Sequence, residues 1–275
     1  MAQISYVISH PEYMYIPRYE ESRGKEASDT CARVNGLPEN GAGVNGTPYV
    51  VGNPAETLFG CDQDWYKVEW RRRAGCGPVA ATNILFYLRK KYGMEEIPYK
   101  SGSVEEALSA MNDVFTYVRP TRRGLHTVRK FVNGMGKFGL SYGLSIKYRY
   151  LLVPPQTEKR PRFNEIIDFI MQGLAEDVPV AFLNLHAGAV EEQLSSWHWV
   201  TVVGMNKMVD TADNVENKVT GAVNTDTVTL HFFDQSKRLE VDLGKWLRTT
   251  ENGGGFAYFY KPSLRRTKNP DVNLS

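Results

Sequence analysis

From Val79 to Leu88 the chain is apolar almost all round, a pattern that predicts a helix set in the core. Arg89, Lys90 and Lys91 close it with charges suited to the negative end of the helix dipole. Two further helices follow. Ser103 and Glu106 form a capping box for one spanning Ser103 to Phe115. Leu125, Val128, Phe131, Val132 and Met135 make an apolar stripe for another, from Gly124 to Phe138. Leu144 to Val153 reads as a strand. Pro154-Pro155-Gln156-Thr157-Glu158-Lys159-Arg160-Pro161 reads as a linker. A helix from Phe163 to Glu176 comes next, with Ile166, Ile167, Phe169, Ile170 and Leu174 inward. Strands are then expected at Val178–Leu185, Trp197–Met205, Thr227–Gln235, Leu239–Leu243 and Phe256–Lys261. Helices first and strands later make an α+β chain, with long connections that suit antiparallel pairing.

The start of the core helix carries the first chemical signal. Arg73-Ala74-Gly75-Cys76-Gly77-Pro78 places a cysteine between two glycines where the helix opens. Pro78 suits a first helical turn, where a missing N–H costs nothing. Unpaired backbone N–H groups and the positive helix end there favour the thiolate, the reactive form. Gly75 and Gly77 allow a backbone or a substrate to come close. The other role open to Cys76 is that of a small buried hydrophobe.

A nucleophile needs a base, and five histidines are available: His10, His126, His186, His198 and His231. His126 reads as a surface or capping residue of its helix, and His10 lies in an irregular, tyrosine-rich start. His198 opens the apolar strand Trp197-His198-Trp199-Val200-Thr201-Val202-Val203, which holds it rigidly and keeps water away. Asp234 closes the next strand, in Phe233-Asp234-Gln235-Ser236. If the two strands are antiparallel neighbours, its carboxylate can accept Nδ1–H of His198 and fix the tautomer. Asp234 is also a natural turn residue.

Together these segments resemble the papain-like cysteine peptidases, on Gly75-Cys76-Gly77-Pro78, Trp197-His198-Trp199-Val200 and Phe233-Asp234. The Cys-Gly-Pro start is most similar to the bacterial branch that includes the double-glycine leader peptidases, where the third residue is usually Asp. His198 follows Cys76 by 122 residues (198 − 76), near the papain-type spacing of roughly 130–150. The resemblance covers about Trp65 to Tyr260. It implies a two-lobe fold, a helical lobe followed by an antiparallel sheet lobe, with the site in the cleft between. Cys76 would be the nucleophile, His198 the general base and acid, and Asp234 the orienter. The family usually places an oxyanion glutamine about six residues before the nucleophile. That position is Trp70 here, and the nearest upstream glutamine is Gln63, thirteen residues ahead (76 − 63). Gln63 and the backbone N–H of Cys76 are the oxyanion candidates, and Trp70, Gly75, Trp197 and Trp199 the substrate-binding ones.

The expected organisation is an irregular extension over 1–60, a helical lobe over 61–153, a sheet lobe over 154–262 and a tail over 263–275. The expected activity is hydrolysis of a peptide or amide bond through a Cys76 thioester. Alternatives are acyl transfer at the same triad, as in transglutaminase-like enzymes, or a weakened papain fold that only binds peptides. A net charge of +2 over 275 residues predicts neither nucleic-acid nor membrane binding. The partner expected is a peptide or protein substrate, and no pattern sets the oligomeric state. Three cysteines without close pairing suit a reducing compartment. No basic and apolar leader opens the chain, so the cytoplasm is the expected location. No cofactor is implied, and no His or Cys pair has zinc-site spacing. Gly41-Ala42-Gly43-Val44-Asn45-Gly46 has dinucleotide-fingerprint spacing without a strand before it or a helix after it.

Overall fold

The structure, a computed structural model, describes residues 2–17, 57–189, 194–209 and 227–264. In chain order these form β1 (Ala2–Val7), β2 (Tyr15–Pro17), β3 (Thr57–Phe59), α1 (Glu69–Ala74), α2 (Cys76–Tyr92), α3 (Val104–Val118), α4 (Val128–Ser141) and β4 (Leu144–Val153). Then come α5 (Phe163–Ala175), β5 (Val180–Asn184), β6 (His198–Val209), β7 (Val228–Asp234), β8 (Lys237–Asp242), α6 (Leu243–Thr249) and β9 (Gly254–Leu264). The chain is α+β, built on an antiparallel sheet in the order β4-β9-β5-β6-β7-β8, with β1 on the far half of β6.

Helices cover both faces of this sheet, and strand alternation decides which residues meet which layer. Leu183 pairs with Trp199 and Ala181 with Thr201 across β5 and β6. On that face Trp199 stacks on Phe131 of α4, ring centroids 4.2 Å apart, and Asn83 Nδ2 of α2 donates to Thr201 Oγ1 at 3.3 Å. On the other face Phe182 stacks on Phe256 at 4.6 Å and meets Trp246 of α6 edge-on at 4.8 Å. Gly173 of α5 lies against Val180 and Tyr258. A smaller core gathers Ile16, Cys61, Tyr66, Phe86, Met111 and Phe115 where the 57–66 segment crosses α2 and α3.

Helix α2 is buried from Cys76 to Leu88, as its all-round apolarity predicts, and ends at Gly93 in the left-handed conformation. Ser103 caps α3 through its hydroxyl, which accepts from Glu106 N at 3.1 Å. β4 has the predicted bounds and is an edge strand on β9 among the described residues. The expected linker at Pro154–Pro161 is pinned: the Arg160 guanidinium donates to the carbonyls of Pro154, Pro155, Leu247, Thr250 and Glu251. Helix α4 starts three residues later than its stripe suggests. A tight turn closed by Thr121 and Gly124 holds the chain until Thr127, so His126 precedes the helix.

The start of the chain also departs from the irregular reading. Ala2–Val7 is a strand, paired with Gly204–Val209 through a contact two hundred residues away in sequence. The glycine-rich 41–46 segment, Cys31 and residues 265–275 of the expected tail lie outside the described residues. No helix among the described residues is long and apolar enough to cross a membrane.

Candidate active site

The N-terminus of α2 is set by Gly75, the single residue that ends α1 and caps α2. A Cβ at Gly75 would lie 2.5 Å from both the Arg71 carbonyl oxygen and the Tyr66 ring. The bare Cα of Gly75, a substrate-binding candidate by sequence, therefore serves packing within the protein. Gly77 likewise faces Leu125 and Trp199. Cys76 and Gly77 are the first two helical residues and Pro78 the third, so two backbone N–H groups lack helical acceptors beside the thiol. Cys76 is buried, with Sγ 3.9 Å from the carbonyl oxygen of Trp197, the residue before His198.

The antiparallel neighbours β6 and β7 bring the other two residues together. His198 opens β6, Asp234 closes β7, and His198 Nε2 lies 2.7 Å from Asp234 Oδ1. Their side chains are only 7% and 10% exposed, so water competes little for the pair. The nitrogen facing Asp234 is Nε2, not the Nδ1 anticipated from sequence, which leaves Nδ1 for the thiol. Burial pulls the imidazole pKa down, but hydrogen bonding to Asp234 and the adjacent Cys76 outweigh it and push the value up to about 10. The protonated imidazole is therefore held at neutral pH beside the thiol.

A third segment passes over this pair. Burial first, then the nearby charges of Asp64 and Asp234, raise the Asp62 carboxyl, while the Asp64 N–H and the Ser236 hydroxyl donate to it. Three residues on from Gln63, Tyr66 covers Gly75. Gln63, on the single 3-10 turn Gln63–Trp65, thus sits on the strip running from Asp234 to Gly75. Its Oε1 is buried without a hydrogen-bond partner. An amide in that state carries unused capacity at the site, and rotation about its last torsion would present Nε2 instead.

The tryptophans divide. Trp197 is 43% exposed, adopts a positive φ of 57°, and lies between His126 and His186, with ring centroids 5.1 and 5.7 Å away. That conformation is unusual for a bulky side chain; the indole is left half exposed, and it is the backbone carbonyl of Trp197 that meets Cys76 Sγ. Trp199, a substrate-binding candidate by sequence, is instead core: it is buried, stacked on Phe131, and its Nε1 donates to Leu125 O at 2.7 Å. Trp70 packs edge-on against Phe115 at 5.2 Å and belongs to the smaller core. Two neighbours of the site escaped the sequence reading. Asn83 accepts from Cys61 N and donates to Thr201, tying the 57–66 segment and β6 to α2. A buried amide in an otherwise apolar helix must find partners, and that signal was present. Leu125 packs on Gly77 and has no such signature. Cys61 is fully buried, and burial followed by the Asp62 charge pushes its thiol well up, which disfavours it as a nucleophile.

No family model matches the chain, and no curated protein was found to match it.

Proposed function

We propose that this chain is a papain-like cysteine peptidase or amidase acting through Cys76, His198 and Asp234. The observation that carries the reading is the buried 2.7 Å contact between His198 Nε2 and Asp234 Oδ1, with the imidazole set against a thiol at a helix N-terminus. Cys76 thiolate attacks the scissile carbonyl carbon and its electron pair moves onto the oxygen. The free N–H groups at the start of α2 and the Gln63 amide stabilise that oxyanion. His198 gives its proton to the leaving amine as the C–N bond breaks, leaving an acyl-thioester. Water then attacks the thioester with His198 as base, releasing the acid and restoring the thiol. Asp234 keeps the imidazole oriented and offsets its charge throughout.

The glutamine offset is accounted for by α1. This six-residue helix fills the interval between the Gln63 turn and Gly75, and folds so that Tyr66 still reaches the nucleophile's doorstep. The family position at Trp70 lies on α1 and points into packing.

The test is turnover of a mixture of peptides from a digested proteome, read by mass spectrometry of new termini. Wild-type protein should generate new termini and Cys76→Ala should generate none. Cleavage that persists at wild-type rate in Cys76→Ala would sink the proposal.

A further inference from the structure

Between residues 114 and 157 the sequence holds eight Lys or Arg and not one Asp or Glu. The whole chain has 33 against 31, so the remainder is 25 against 31, a net −6 set against a block of +8. All eight cations are exposed, and none has a carboxylate partner among the described residues. The block folds into one surface: the Thr121–Gly124 turn with Arg122 and Arg123, then α4, then β4. Arg129, Lys130 and Lys137 lie on the exposed side of α4.

β4 is the last strand of the sheet, paired on one side with β9 and open on the other among the described residues. Its alternation continues past the buried Ile146. Tyr148, Tyr150 and Leu152 follow on the α4 side but remain 39%, 37% and 38% exposed. Lys147 and Arg149 fall on the opposite side, where Arg149 donates to Gln172 of α5. An open ten-residue edge with an exposed aromatic strip and unneutralised cations is a template for strand addition by an extended chain. Charge complementarity selects an acidic one.

The surface also leads to the nucleophile. Helix α4 is about 21 Å long at 1.5 Å per residue. At its N-terminal end, a Cβ built on Gly255 would touch both Val128 of α4 and Leu151 of β4, and three residues before Val128, Leu125 packs on Gly77. We infer that the open edge of β4, with the cations of the turn and α4, is an exosite that binds an acidic, extended stretch of the polypeptide substrate. It rests on the peptidase reading only in taking the bound stretch to be part of a substrate. A polynucleotide would also answer the charge, but the free main-chain edge favours a peptide.

The test uses the full chain carrying Cys76→Ala, titrated by fluorescence anisotropy with a labelled (Glu-Val)5 peptide. (Lys-Val)5, a dT10 oligonucleotide and a (Glu-Val)5 N-methylated at alternate residues serve as comparators. Binding of (Glu-Val)5 should weaken at least tenfold between 50 and 300 mM salt, and again in the exposed α4 double variant Arg129→Glu/Lys130→Glu. N-methylation should abolish it, because a strand needs its N–H groups. Equal affinity for (Lys-Val)5, tighter binding of dT10, or indifference to N-methylation would each overturn the inference. Because no turnover is read, a failure here leaves the peptidase reading standing. Absence of proteolysis by the wild-type chain, with binding intact, would instead sink the catalytic reading alone.

Discussion

Asp234→Asn isolates what the orienting carboxylate does, because it removes a charge and keeps the shape. In the wild-type protein Nε2 and Oδ1 are 2.7 Å apart, with both side chains about nine-tenths buried. At an effective dielectric near 20, opposite charges about 4 Å apart attract by ~4 kcal/mol. An amide oxygen retains the hydrogen bond and part of that energy, so the net loss should be about 3–4 kcal/mol. At 1.36 kcal/mol per decade that is on the order of 10²–10³ in the population or rate that depends on the imidazolium. Burial is the factor pulling the imidazole down, and the Asp234 hydrogen bond leads those that push it to about 10. Neutralising Asp234 should therefore move the alkaline limb of the Cys76 reaction to lower pH. The assay is iodoacetamide labelling across pH 5–10, read per cysteine by mass spectrometry, with buried Cys61 as internal control and His10→Ala as a remote variant. Cys76 labelling near pH 7 should fall about a hundredfold in Asp234→Asn and hardly change in His10→Ala. If the alkaline limb does not move and the rates agree within about threefold, Asp234 is not the partner that governs His198.

Gln63→Ala should lower turnover by about 10²–10³, the usual cost of one oxyanion donor, with Cys76 labelling nearly unchanged; equal losses in both would mean the segment only supports the fold. Stability should fall at alkaline pH: a folded value near 10 against about 6.5 unfolded gives stabilisation complete below pH 6.5 and lost as pH rises through 10. Urea midpoints of wild type and His198→Gln should converge over that window, and parallel curves would refute the assignment. Gly75→Ala should destabilise by about 1–3 kcal/mol and slow Cys76 labelling, since the new Cβ meets a carbonyl oxygen and the Tyr66 ring at 2.5 Å. A variant as stable and as reactive as wild type would show that the α1–α2 junction has room to spare.

What the sequence made legible was whatever local chemistry dictates. The buried core helix, the Ser103 cap, the bounds of β4 and the succession of β5 to β9 along the chain follow from periodicity and turn residues alone. The rest depends on partners remote in sequence. β1 is too exposed to show a core pattern and gains its order from pairing with Gly204–Val209. Helix α6, only seven residues long, is set by the Asp242 cap, whose carboxylate accepts from Lys245 N at 2.8 Å, and by Trp246 between Phe182 and Phe256. Neither contact has a period to detect.

The site shows the same division at the scale of single residues. Cys76, His198 and Asp234 could be picked out because a helix start and two strand ends are local features, and antiparallel pairing does the rest. Alternation failed one residue before His198. A positive φ at Trp197 breaks the strand geometry, so Trp197 and Trp199 do not share a face: one indole turns toward solvent and the other enters the core. Their neighbours decide this, because Trp199 has a stacking partner and a carbonyl acceptor waiting in Phe131 and Leu125, while the Trp197 ring lies near two partly exposed histidines. The ring nitrogen facing Asp234 was equally beyond the sequence, since it depends on how β6 presents His198 between a carboxylate and a helix end. Gln63 is the converse case. It lies thirteen residues before Cys76 (76 − 63), and the six-residue α1 takes up part of that interval, so its place relative to the thiol depends on how α1 folds and not on the count.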